Sequence, residues 1–139
     1  MKTIVFFHGK CFDGSMAAAA ALKAVLKRTL PEDTLIHPIS YMEDMFVEGG
    51  LVDTLNPEGD KVKYYFVDFC PSLDALRRIS EMGDEAVILD HHESAQSNVR
   101  DAMGLPGLDI HFDMNRSGAG MSWEHFHGKH DIPELAQYV

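Results

Sequence analysis

The run A-V-I-L-D-H-H-E-S carries four apolar residues straight into Asp90, His91 and His92. An acid and two imidazoles on the end of a buried strand are costly unless a partner offsets their desolvation. The same pattern recurs along the chain. His8 closes the first apolar run, with Cys11 and Asp13 just beyond it; Asp68 closes the third run, and Asp113 the fifth. Carboxylates gathered at one place repel one another at reduced dielectric, and a divalent cation resolves the conflict. A donor set of imidazole and carboxylate with at most one thiolate suits Mn²⁺ first, with Co²⁺, Zn²⁺, Fe²⁺ or Mg²⁺ as alternatives, and argues against a pure Mg²⁺ or Ca²⁺ cage. The expectation is one or two ions. Two ions roughly 3.5–4 Å apart, sharing a carboxylate, would serve in-line attack at phosphorus by activating a water and holding the developing oxyanions.

The elements that must carry these residues are readable. T-I-V-F-F predicts a short buried strand, and S-M-A-A-A-A-A-L-K-A-V-L-K-R predicts a close-packing helix that ends before Pro31. A second strand is expected over Thr34 to Ser40, then a loop-like stretch holding Gly49, Gly50, Pro57 and Gly59. K-V-K-Y-Y-F-V-D-F predicts a strand reaching Asp68, followed by a helix with Ser72 as N-cap. Ala86 to Leu89 and Leu108 to Phe112 complete the strands; Ser117 to His127 reads as a helix, and residues 132–139 as the middle of another. The fold class is α/β: a mostly parallel sheet of about five strands with helices on both faces. In such sheets sites gather at the carboxyl ends of the strands.

A chain of 139 residues, 45% apolar, is long enough for one domain with a real core. Its formal charge of −10 argues against strong duplex nucleic-acid binding and against an anionic membrane surface. No apolar run approaches the ~18 residues of a membrane span and no secretory pattern opens the chain, so a cytoplasmic location is expected. Cys70 reads as a small buried hydrophobe. His125 and His127, two apart on a helix, are expected to face solvent, whereas Trp123, Phe126, Met42, Met45 and Phe46 are expected to pack.

F-H-G-K-C-F-D-G-S-M-A-A, Y-F-V-D-F-C-P, V-I-L-D-H-H-E and F-D-M-N-R-S-G-A-G-M-S-W-E resemble, in order, the four successive motifs of the DHH phosphoesterase family. The resemblance spans nearly the whole chain and implies a DHH-type N-terminal catalytic, metal-binding domain over residues 1–139. By that resemblance His8 and Asp13 are ligands of the first motif, Asp68 a bridging carboxylate, His91 a ligand, and Asp90 a ligand or its outer partner. His92 resembles the histidine facing substrate and leaving group, so His92 and Asp90 are the expected catalytic pair; Asp113 matches the fourth-motif aspartate. Ser117, Gly118 and Ala119 open a helix whose amides are expected to meet a phosphate, with Arg116 beside them.

Two departures matter. Many members carry an aspartate where this chain has Cys11, so the first position is either thiolate-liganded, which favours a softer ion, or weakened. The smaller C-terminal substrate domain that such proteins usually add is expected to be missing. The resulting expectation is a phosphodiesterase- or exonuclease-like hydrolase acting on a phosphoester substrate: a short oligonucleotide, a cyclic dinucleotide or a small nucleotide. The alternative is a domain that binds metal and nucleotide with little turnover. A receiver-like signalling domain fits poorly, because of the twin histidines and because no lysine ends the fifth strand.

Overall fold

The computed structural model describes residues 1–9, 12–27, 31–40 and 45–128. Lys10, Cys11, Met42 and the run 132–139 therefore lie outside the described residues. Five strands, β1 (Lys2–His8), β2 (Thr34–Ile39), β3 (Val62–Val67), β4 (Glu85–Asp90) and β5 (Leu108–Phe112), form one sheet in the order β2-β1-β3-β4-β5. Every pairing is parallel. Pro38 sits in β2, at an edge of the sheet, where a missing amide donor is tolerated.

Strand periodicity explains why both faces are apolar. Ile4, Phe6, Val62, Tyr64, Phe66, Ala86 and Ile88 point to one side, and Val5, Tyr65, Val67, Val87 and Leu89 to the other. On the first side the rings of Phe6 and Phe66 stack at 5.5 Å and those of Tyr64 and Phe66 at 5.8 Å. That side is covered by α3 (Leu73–Glu81) and α4 (Gln96–Ala102), with the short α2 (Leu51–Leu55) contributing Val52. Ser72 caps α3 as expected, its hydroxyl accepting from Ala75 N at 3.2 Å. Met45 is buried in this core and Phe46 packs against it.

The second side is covered by α1 (Phe12–Val25) and α5 (Gly118–His127), which lie against each other. Ala17, Ala20, Ala21 and Ala24 are buried on α1, and Gly118, Ala119 and Gly120 on α5, so small residues let the two helices approach closely. Phe126 closes the end of this core. His127 departs from its expected solvent-facing place: its Nε2 lies 3.0 Å from Ala20 O, and its ring lies 4.8 Å from that of Trp123. A helix flanked by another helix has no bare face on that side. His125 is exposed, as expected.

Cys70 is buried, and burial first, then nearby Asp90, pushes its thiol from 9.0 up to about 12. A raised value means that folding favours the neutral thiol. This contribution is complete below pH 9 and is lost as pH rises towards 12. In a Cys11→Ser background, Cys70 is therefore expected to stay unlabelled by a thiol reagent at pH 8 and to label fully after denaturant; mass spectrometry reads the difference. Labelling of the folded protein would contradict this burial.

Candidate metal centre

The strand order reverses direction between β1 and β3, and the crevice there is where open parallel sheets place their ligands. His8 is the last residue of β1 and Asp68 follows β3 directly. Asp68 is fully buried and has φ +57°, a left-handed conformation that few side chains other than Asn and Asp adopt readily. Its amide donates to Leu89 O at 2.8 Å, which keeps it tied to β4 while the backbone turns the carboxylate into the crevice. Strain of this kind persists only where the surroundings enforce it.

Two helix starts enforce it here. A Cβ on Gly118 would lie 2.3 Å from Asp68 Oδ1, and one on Gly14 would lie 3.3 Å from Asp68 Oδ2. The first turns of α5 and α1 thus press on the same carboxylate, and both present the positive end of their helix dipoles to it. Asp13, in the first turn of α1, reaches across: its Oδ2 accepts from Gly118 N at 2.9 Å and its Oδ1 from Ala119 N at 2.6 Å. Ser117 Oγ accepts from Gly120 N at 3.0 Å. Of the amides expected to stand ready for a phosphate, those of Gly118 and Ala119 donate to the protein's own carboxylate.

His91 Nε2 sits between two carboxylates, 2.8 Å from Asp68 Oδ1 and 3.1 Å from Asp13 Oδ2. A proton on that nitrogen bridges the carboxylates; a divalent cation taking its place would meet the same three donor atoms. Separations near 3 Å are those of neighbouring ligands around an ion with bonds of roughly 2.1 Å. His8 Nδ1 lies 3.8 Å from Asp68 Oδ2. Burial first, then His92, holds the His8 imidazole below its usual range; Asp90 and Asp13 oppose the shift and His91 adds to it. A neutral imidazole is the form that binds metal.

Asp90 is fully buried at the end of β4, and its Oδ1 lies 2.6 Å from His92 Nδ1. Its other oxygen, Oδ2, is buried with no hydrogen-bond partner among the described residues. A buried carboxylate oxygen left without a donor costs free energy that a cation would offset. Among the described residues, Asp68, Asp90, His91 and His92 each offer a ligand atom within 4.8 Å of one another. The rings of His91 and His92 lie 4.4 Å apart, and that of His8 packs edge-on to His92 at 5.4 Å. The donor set fits a divalent cation.

Of the sequence-predicted site residues, His8, Asp13, Asp68, Asp90, His91 and His92 converge. Asp113 follows β5: its Oδ1 accepts from Asn115 N at 2.9 Å, closing a turn between β5 and α5, while its amide donates to Asp90 O at 3.2 Å. Arg116 is held by an ion pair with Glu124 and by donation to Gly120 O at 3.2 Å. Cys11 lies outside the described residues. Sequence reasoning missed the crowding role of Gly14 and Gly118; the small-residue openings of both helices were the available signal.

No protein-family model and no solved structure matches the chain. It is similar to an uncharacterized protein, R106, of Acanthamoeba polyphaga mimivirus, at 23% identity over 139 residues. The match covers 98% of this chain and 32% of that relative, so the chain spans about a third of the length of the curated relative it matches. No described helix is long and apolar enough to cross a membrane.

Proposed function

We propose that this chain is the metal-binding domain of a DHH-type phosphoesterase that hydrolyses phosphodiester or phosphomonoester bonds in short oligonucleotides, cyclic dinucleotides or small nucleotides. The observation that carries the reading is the convergence of Asp13, Asp68, Asp90, His8, His91 and His92 on the β1/β3 crevice. Asp68, Asp13 and His91 would hold one cation, with His8 beside them and Asp90 offering its unpartnered oxygen. The cation, Mn²⁺ by preference, supplies positive charge for phosphate oxygens and lowers the pKa of water.

The remaining chemistry belongs to the chain. Asp90 Oδ1 against His92 Nδ1 fixes the ring and its tautomer, which leaves Nε2 to take or give a proton at the substrate oxygen. His8 and His91 wall the ring in, so its orientation is set before substrate arrives. The buried strand ends exclude water from behind the carboxylates and strengthen their hold on charge.

The expected result is hydrolysis of a generic phosphodiester when ion-stripped protein is supplied with Mn²⁺, Co²⁺ or Zn²⁺, with uptake of one or two ions and loss of both in Asp68→Ala. No ion uptake and no turnover would sink the reading. A second reading, metal and nucleotide binding with little turnover, is favoured by one observation: the α5 amides and Arg116 are engaged by Asp13, Glu124 and Gly120 O. Ion uptake without turnover would select it.

A further inference from the structure

The sheet face covered by α5 continues past it towards the outer edge at β5. In the register of the last strand pair, Leu89 lies opposite His111, so both point to this face. Beside them is a cavity of about 240 Å³ lined by Leu89, His111, Arg116, Met121, Glu124 and His125. Its walls are of two kinds. Leu89, Met121 and the two imidazoles, whose rings meet edge-on at 5.0 Å and 61°, form an apolar and aromatic surround. Arg116 and Glu124 form a polar wall, a donor fork and a carboxylate fixed next to each other by their ion pair.

We propose that this cavity receives a purine base, guanine in preference to adenine, from the nucleotide whose phosphate meets the metal centre. Guanine presents two adjacent acceptors, O6 and N7, and two adjacent donors, N1–H and the N2 amino group; a guanidinium beside a carboxylate complements both sets. Adenine reverses part of this pattern, placing its N6 amino donor where the guanidinium donates and its N1 acceptor where the carboxylate accepts. Arg116 keeps donor capacity for the base, since a guanidinium carries five N–H groups and the ion pair and Gly120 O engage NH1 and NH2. One imidazole face, that of His125, supplies a stacking surface with His111 edge-on beside it, and stacking tolerates either base and adds affinity without selectivity.

Position joins the cavity to the proposed chemistry. Arg116, in its wall, is two residues from Gly118, whose backbone presses on Asp68. Asp109 Oδ1 lies 3.0 Å from His111 Nε2 and steadies one wall of the cavity.

The link to a phosphate rests on the phosphoesterase reading, but the cavity is tested without it. Guanosine and adenosine, which lack phosphate, are titrated into the full chain with EDTA and again with Mn²⁺, following amide chemical shifts. The expected result is saturable guanosine binding, roughly tenfold tighter than adenosine, in both conditions. Glu124→Gln is expected to erase the preference and His125→Ala to weaken both nucleosides alike. His125 is exposed, so that variant keeps the proposal falsifiable if Glu124→Gln does not fold. Equal affinity for the two nucleosides, no saturable binding, or an unchanged preference in Glu124→Gln would overturn the proposal. Guanosine binding with no phosphodiester turnover would overturn the phosphoesterase reading and leave the base pocket standing.

Discussion

Asp68→Asn is expected to take up no divalent ion and to lose turnover by more than the roughly 10–100-fold that removal of an outer partner of a metal ligand costs, while its ion-stripped form melts no lower than the wild-type protein. The two halves of this expectation share a cause. Asp68 is fully buried, shares His91 Nε2 with Asp13, and is crowded by two helix starts. In the absence of a cation its charge is opposed by neighbouring carboxylates, so neutralising it relieves repulsion. Asparagine tolerates the left-handed backbone and keeps an oxygen for His91. Alanine at the same position adds about 1–2 kcal/mol of left-handed strain, so Asp68→Ala is expected to melt below Asp68→Asn. Calorimetry with EDTA and metal analysis together check the claim; an Asp68→Asn protein with wild-type ion content would refute it.

The second large effect concerns glycine. Gly118→Ala places a methyl 2.3 Å from Asp68 Oδ1 and 2.6 Å from its Cβ and Cγ, whereas Gly14→Ala places one 2.1 Å from His8 O. In the first case Asp68 Oδ1 and Cγ can swing aside, although its Cβ moves only with the backbone; in the second the obstacle is the backbone carbonyl of the last residue of β1. Gly118→Ala is therefore expected to fold, with a loss of about 1–3 kcal/mol from overpacking, and to bind metal poorly because Asp68 is displaced. Gly14→Ala is expected to lose more stability, because α1 must lift from the end of β1. Chemical denaturation separates the two. Equal stability losses with intact ion uptake in Gly118→Ala would show that neither helix start sets the position of Asp68.

Much of this arrangement is legible in the chain itself, for identifiable reasons. β1, β3 and β4 announce themselves because both faces are buried and each carries an unbroken run of four apolar or aromatic residues, Ile4 to Phe7, Tyr64 to Val67 and Ala86 to Leu89, and the polar residue that ends each run marks the crevice edge. α3 is signalled by its serine cap and strong amphipathic spacing. α4, Q-S-N-V-R-D-A, carries no such signal: Ser, Asn, Val and Asp are poor helix formers, and the helix is held by burying Val99 and Ala102. α2 is five residues long, below any length at which periodicity can speak. The acids and imidazoles could be named from their places at strand ends. Their pairing could not, because Asp13 meets Gly118 across 105 positions and nothing local links them. Nor could the turn that engages Asp113 Oδ1 with Asn115 N be read from its place at a strand end.

The bond from Asp13 to Ala119 spans 106 positions of the chain. Contacts this distant in sequence, within a sheet that is parallel throughout, carry the entropic cost of closing a long loop and are expected to form late in folding. Until α5 docks, the acids and histidines of β1, β3 and β4 lack the helix start that positions Asp13 against His91. A cation that needs all of them therefore meets no complete cage on a growing or half-folded chain. A bound ion would act as a clasp on the finished molecule, slowing its unfolding while leaving the rate of folding largely unchanged.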